Sequence, residues 1–152
     1  MLHKLLVPLD GSELAEQALP YATELAQKFD AEVILLWVLQ PPPIVPVTEF
    51  AVIPYQDEAY VERAEEQARE YLGGIRARLI EAGIRARVAI VKSISVAGAI
   101  VDFAEKQAVD LIVKTTHGRS GISRWVFGSV ASKVLEQAPC PVFLVRVKEE
   151  ET

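Results

Sequence analysis

The chain has 152 residues, 51% of them hydrophobic and 24% charged, with a formal net charge of −5. That composition suits one globular domain burying roughly two-thirds of the surface its unfolded form would expose; no disulfide or metal staple is needed, and the acidic balance argues against nucleic acid as a partner. The single cysteine, Cys140, excludes an internal disulfide, and no apolar run approaches the ~20 residues of a membrane span or forms a signal peptide, so a cytoplasmic location is the expectation.

Residues 5–9 form a short apolar run ending at Asp10-Gly11-Ser12, and 31–39 form a longer one. Both read as strands buried on two faces. Between them Leu14, Ala18, Ala22 and Leu25 recur at helical spacing, with Asp10 and Glu13 in the pattern of a capping box. Residues 40–57 carry Pro41, Pro42, Pro43, Pro46 and Pro54 and read as an extended surface excursion, the candidate lid or partner surface. A long charged helix is expected over 58–82, with Val61, Ala64, Ala68, Leu72, Ile75 and Leu79 as its apolar stripe and Gly83 as its stop. Gly73-Gly74 inside it costs helix stability and marks either a kink or a close packing contact. A strand at 87–91, a helix at 96–107, a strand at 110–115, a helix around 130–137 and a strand at 141–147 complete the pattern. Five strands alternating with four helices imply an open parallel α/β sheet with right-handed crossovers and helices on both faces. One domain is expected over 1–148, followed by an acidic tail at 149–152.

Ligands of such sheets sit beyond strand C-termini at a topological switch point. The end of the first strand carries Asp10, and the end of the fourth leads into Thr116-His117-Gly118, nine further residues, then Gly128-Ser129 and a helix. A glycine loop running into a helix N-terminus favours an anion, because the first N–H groups of a helix lack internal partners and the dipole is positive there. Neither Gly-x-Gly-x-x-Gly nor Gly-x4-Gly-Lys-Ser/Thr occurs, nor a Gly-x-Ser-x-Gly elbow, and two histidines with one cysteine make no metal cluster of familiar spacing. Asp10 reads as a helix cap that also reaches a ligand or Mg²⁺. His117 reads as a loop-ordering residue rather than a general base, since no carboxylate neighbours it in sequence. Arg119, and less so Arg124, are candidates for phosphate contact against the alternative of solvated or paired arginines. Trp125 and Phe127 read as packing or interface residues, and Cys140 as a small buried residue entering a strand.

Val7-Pro8-Leu9-Asp10-Gly11-Ser12, Thr116-His117-Gly118-Arg119-Ser120-Gly121, Gly128-Ser129-Val130-Ala131 and Ala138-Pro139-Cys140-Pro141-Val142 together resemble the universal stress protein family, over nearly the whole chain. Nucleotide-binding members of that family carry Gly-x2-Gly-x9-Gly-Ser/Thr after the fourth strand. Here Gly118 and Gly128 keep the spacing and Thr115 stands at the first glycine. Its Cβ either restricts the backbone and crowds a phosphate or ribose, or its hydroxyl supplies a hydrogen bond there. The resemblance implies the adenine nucleotide α-hydrolase-like fold with strand order 3-2-1-4-5, a homodimer joined through the last strand, and ATP with Mg²⁺ as ligand. Carried over by position, Pro8 and Asp10 flank the nucleoside and the main chain of Val38 meets the adenine edge. Thr115, Thr116, His117, Gly118, Arg119 and Ser120 line the ribose and phosphates. Gly128, Ser129 and Val130 offer N–H groups, and Ser129 its hydroxyl, to the terminal phosphates.

The function expected from this is an ATP-binding stress protein acting as a nucleotide-dependent switch or scaffold, not an enzyme, with slow ATP hydrolysis at most. The alternative, resting on Thr115, is a nucleotide-free dimeric interaction module that engages partners through the proline-rich segment. An enzyme of the wider fold group rests on fold analogy alone.

Overall fold

The computed structural model describes residues 1–42, 45–48, 51–53, 58–118 and 127–147. In chain order the elements are β1 (Lys4–Pro8), α1 (Glu13–Glu16), α2 (Leu19–Phe29), β2 (Glu32–Leu39), β3 (Val45–Thr48), β4 (Ala51–Ile53), α3 (Glu58–Glu81), β5 (Ala86–Lys92), α4 (Val96–Lys106), β6 (Leu111–Thr115), α5 (Ser129–Gln137) and β7 (Val142–Val145). Five of the strands form one parallel sheet in the order β5-β2-β1-β6-β7. This is the expected 3-2-1-4-5 arrangement.

The apolar runs explain why the sheet lies between two helical layers. Leu5, Val7, Val33, Leu35 and Val113 point to one face, where Ala18, Ala22 and Ala26 of the α2 segment and Leu72, Ile75 and Leu79 of α3 cover them. Leu6, Ile34, Leu36 and Ile112, each one residue out of phase, point to the other face and meet Ala97, Ile100 and Ala104 of α4 and Val134 of α5. Alternating side chains of fully buried strands thus feed two separate cores.

Four local expectations are corrected. The first helix is two helices, because Pro20 in the first turn of α2 lacks an N–H and would clash with a carbonyl one turn earlier. Its cap is Ser12, whose hydroxyl accepts from Ala15 N at 3.2 Å, and not Asp10. Within the proline-rich excursion, β3 and β4 pair antiparallel with a register shift between Pro46 and Thr48, so a hairpin forms where only extended chain was expected. The helix α3 runs unbroken through Gly73 and Gly74, and a Cβ at either would meet nothing within 4 Å, so neither glycine serves close packing. Gly83 ends it as expected, at φ +81°. The tail at 149–152 lies outside the described residues.

Candidate functional site

The sheet reverses its direction of growth at β1, between β2 and β6, and there β1 stops early. Its register with β2 ends at Pro8↔Leu36, whereas β2 continues beside β5 through Val38↔Val91 and Leu39↔Lys92. Leu9 N donates a last bond to Leu36 O at 2.8 Å. The chain then turns away through Gly11, at φ +82°, and Pro8 has no N–H to extend the ladder towards β6. A slot one strand wide results, about 10 Å between its flanking strands.

Main-chain direction along β2 alternates with a period of two. The Leu36 carbonyl faces β1, while the Leu39 carbonyl faces β5 and accepts from Ser93 N at 3.0 Å. Val38, in phase with Leu36, therefore turns its N–H and C=O into the slot, where they have no main-chain partner among the described residues. Its half-buried side chain packs on the α4–α5 face. Across the slot, Thr116 N donates to Val145 O of β7 at 2.9 Å, so the Thr115 peptide, one residue out of phase, faces the slot.

The buried polar or charged residues among those described are four in a row, Lys114, Thr115, Thr116 and His117. Three of them hold the loop together. The Thr115 hydroxyl donates to His117 O at 2.7 Å, and the Thr116 hydroxyl lies 2.9 Å from His117 Nδ1 and accepts from Val147 N at 3.3 Å. His117 thus has the ordering role expected of it. Thr115 has no positive φ, it lies in phase with Val113 of the α2–α3 face, and its hydroxyl proton is already given to His117 O.

Gly118 and Gly128 matter for proximity rather than conformation. A Cβ at Gly118 would collide with Asp10 Oδ2, and one at Gly128 would sit 3.0 Å from Thr116 O. Asp10 is held over the loop because its Oδ1 accepts from Ser12 N at 2.9 Å and from Ser12 Oγ at 2.5 Å. Gly128 N donates to Thr116 O at 3.0 Å, so the N–H expected to meet phosphate is already used. Gly128 provides no side-chain cap to α5. The N–H groups of Ser129 and Val130 therefore stand at an uncapped, positive helix end beside the loop. Pro8 and Asp10, half-buried, close the floor of the slot. Arg119 and Ser120, like Arg124 and Trp125, lie outside the described residues.

Lys114 was not anticipated. It is 8% exposed, and among the described residues its ammonium has no hydrogen bond and no carboxylate within ion-pair distance. Burial pushes its ammonium pKa down, partly offset by the Asp10 charge. The sequence signal was present: a lysine inside a strand whose every residue is buried has no solvent face to occupy.

The family model described as Universal stress protein family matches residues 1–146. The chain belongs to the universal stress protein family. Universal stress protein MJ0531 of Methanocaldococcus jannaschii is 34% identical over 150 residues, which span 97% of this chain and 84% of that one. The solved structure of the hypothetical protein MJ0577 matches with a TM-score of 0.83 and 31% identity over 99% of both chains. Universal stress protein UspA from Lactobacillus plantarum follows at 0.77 and 27%, covering 95% of this chain and 98% of that one. The fold is also that of a universal stress protein in complex with cAMP, of one from Archaeoglobus fulgidus in complex with dAMP, and of an Arabidopsis thaliana family protein with AMP bound, at identities of 22%, 24% and 16%.

Proposed function

We propose that this universal stress protein binds an adenine nucleotide, ATP with Mg²⁺, in the slot at the end of β1, and acts as a nucleotide-dependent switch or scaffold. The observation that carries this reading is the Val38 peptide, which turns one donor and one acceptor into the slot. Adenine presents a matching pair, its N6 amino donor beside a ring-nitrogen acceptor. Phosphates directed away from Val38 meet the uncapped start of α5 at Ser129 and Val130, a ready-made anion site.

Mg²⁺ at a nucleotide takes most of its ligands from phosphate oxygens and water, with one or two carboxylates from the protein. Asp10 is the carboxylate beside the slot, and the described residues contain no group of three or more His, Cys, Asp or Glu side chains able to hold a metal by themselves. Binding rather than turnover is the better reading of Asp10 and His117, since both contribute polar atoms to holding the loops. A homodimer through β7 is supported by its place at the sheet edge and by Phe143, 38% exposed, which with Tyr21 of α2 forms a tilted aromatic pair, ring centroids 5.6 Å apart. A cytoplasmic location accords with the described residues, none of whose helices is long and apolar enough to cross a membrane.

Isothermal titration of nucleotide-stripped protein tests the reading. ATP should bind and GTP should bind at least tenfold more weakly; no ATP binding at millimolar ligand refutes the site.

A further inference from the structure

Among the described residues, no other Lys, Arg, Asp or Glu is as buried as Lys114. An ammonium has three donors and no acceptor; that of Lys114 has no hydrogen-bond partner among the described residues, and its Nζ is not one of the fully enclosed side-chain atoms, so a buried stem carries the charge to an opening where an anionic ligand can meet it. Strand alternation puts Lys114 in phase with Ile112, on the face covered by α4 and α5. Pro8 and Val38 occupy that same face, in phase with Leu6 and Leu36 respectively. The start of α5 stands there too, fixed to the strand end by the Gly128 N–H bond to Thr116 O at 3.0 Å. Lys114 thus belongs to the slot wall opposite Val38. A nucleoside whose base meets the Val38 peptide and whose sugar extends towards β6 brings its 5′ end to that wall.

We propose that Lys114 is a phosphate-binding residue of the slot, holding the phosphate attached directly to the nucleoside, so that the site selects nucleoside phosphates, down to a monophosphate, over nucleosides. The assignment rests on the adenine-nucleotide reading above and deepens it. A lysine binds phosphate as a point charge on a flexible stem, suited to a group delivered to a fixed wall. The ligand in turn supplies the acceptors that the described residues do not.

The test is calorimetric titration of the full, nucleotide-stripped chain with adenosine and with AMP, for wild type and Lys114→Met. Methionine matches the stem in length and shape, and thermal unfolding checks that the variant is folded; if it is not, Lys114→Gln takes its place. Wild type should bind AMP at least tenfold more tightly than adenosine. The variant should lose about tenfold in AMP affinity and keep its adenosine affinity within about twofold. An unchanged AMP-to-adenosine ratio in a variant that still binds adenosine overturns the role of Lys114 and leaves the adenine site standing, as does a variant that binds both ligands more tightly. Wild-type protein that binds neither ligand overturns the adenine site and the Lys114 assignment with it.

Discussion

Gly118→Ala is a direct test of how the loop after β6 is held. The added methyl collides with Asp10 Oδ2. Gly118 does not have a left-handed φ, so alanine suits its backbone and the cost is steric alone. Asp10 cannot yield cheaply, because its Oδ1 holds Ser12 N at 2.9 Å and Ser12 Oγ at 2.5 Å, and the same hydroxyl caps α1 through Ala15 N. Rotating the carboxylate gives up two hydrogen bonds to a charged acceptor, worth about 1.5–3 kcal/mol each where water is excluded. Asp10 is half-buried, so water replaces part of what is lost and the expected net cost is about 2 kcal/mol. Urea unfolding of wild type, Gly118→Ala, Asp10→Ala and the double variant isolates the clash. Once Asp10 is alanine, Gly118→Ala should cost less than about 0.5 kcal/mol, a coupling of about 1.5 kcal/mol. Equal costs in both backgrounds would refute the claim that Gly118 exists to make room for Asp10.

Gly73→Ala and Gly74→Ala should each stabilise the protein by about 0.5–1 kcal/mol, since α3 continues through both and a Cβ there meets open space; a lower melting temperature by calorimetry would contradict this. Thr115→Val keeps the side-chain shape and leaves the His117 carbonyl without its 2.7 Å donor, for an expected loss of about 1–3 kcal/mol in urea unfolding. Thr115→Gly should lose a similar amount without improving ATP affinity; a tenfold gain would restore the view that threonine obstructs the site. Lys114 has a folded-state pKa below the ordinary lysine value, so between the two the unfolded chain binds one more proton and wild-type stability rises with pH. Lys114→Met should therefore be more stable than wild type near neutral pH, by a margin that shrinks as pH climbs towards about 10. A margin independent of pH would mean that Lys114 is not buried as an ammonium.

The parallel sheet was legible because runs such as Val33-Ile34-Leu35-Leu36, too short for a buried helix and free of polar alternation, require cover on both faces. The break before α2 was hidden by the very periodicity that revealed the helix: Ala18 and Ala22 keep their spacing across it, and only Pro20 betrays the interruption. Ser12 and Asp10 are both good capping residues two positions apart, and deciding between them needs the path of the chain. The hairpin of β3 and β4 was obscured by prolines that argue against strand wherever pairing is two-sided but are tolerated at an edge. Val38 and Gly118 could be placed from the family pattern. The effect of Thr115 could not, because it depends on strand phase, which the structure fixes through Val113 and the core beneath it. Lys114 carries no such mark, because the glycine pattern of the family begins one residue downstream, at position 115.

Thr115, Thr116 and His117 bond to one another and to the chain after β7, while the uncharged groups turned towards the slot from β2 and β6 are peptide N–H and C=O of Val38 and the Thr115 peptide. Two duties are thereby divided between side chain and backbone. Every residue except proline carries the same peptide donor and acceptor. Position 38 can consequently change its side chain over generations without altering the pattern it offers, and drift at 115–117 acts on the shape and stability of the loop. Mutational tolerance at the Val38 end of the slot is set by whether the backbone stays in phase, so a one-residue insertion in β2, which would turn the peptide of position 38 towards β5, is more damaging there than most substitutions.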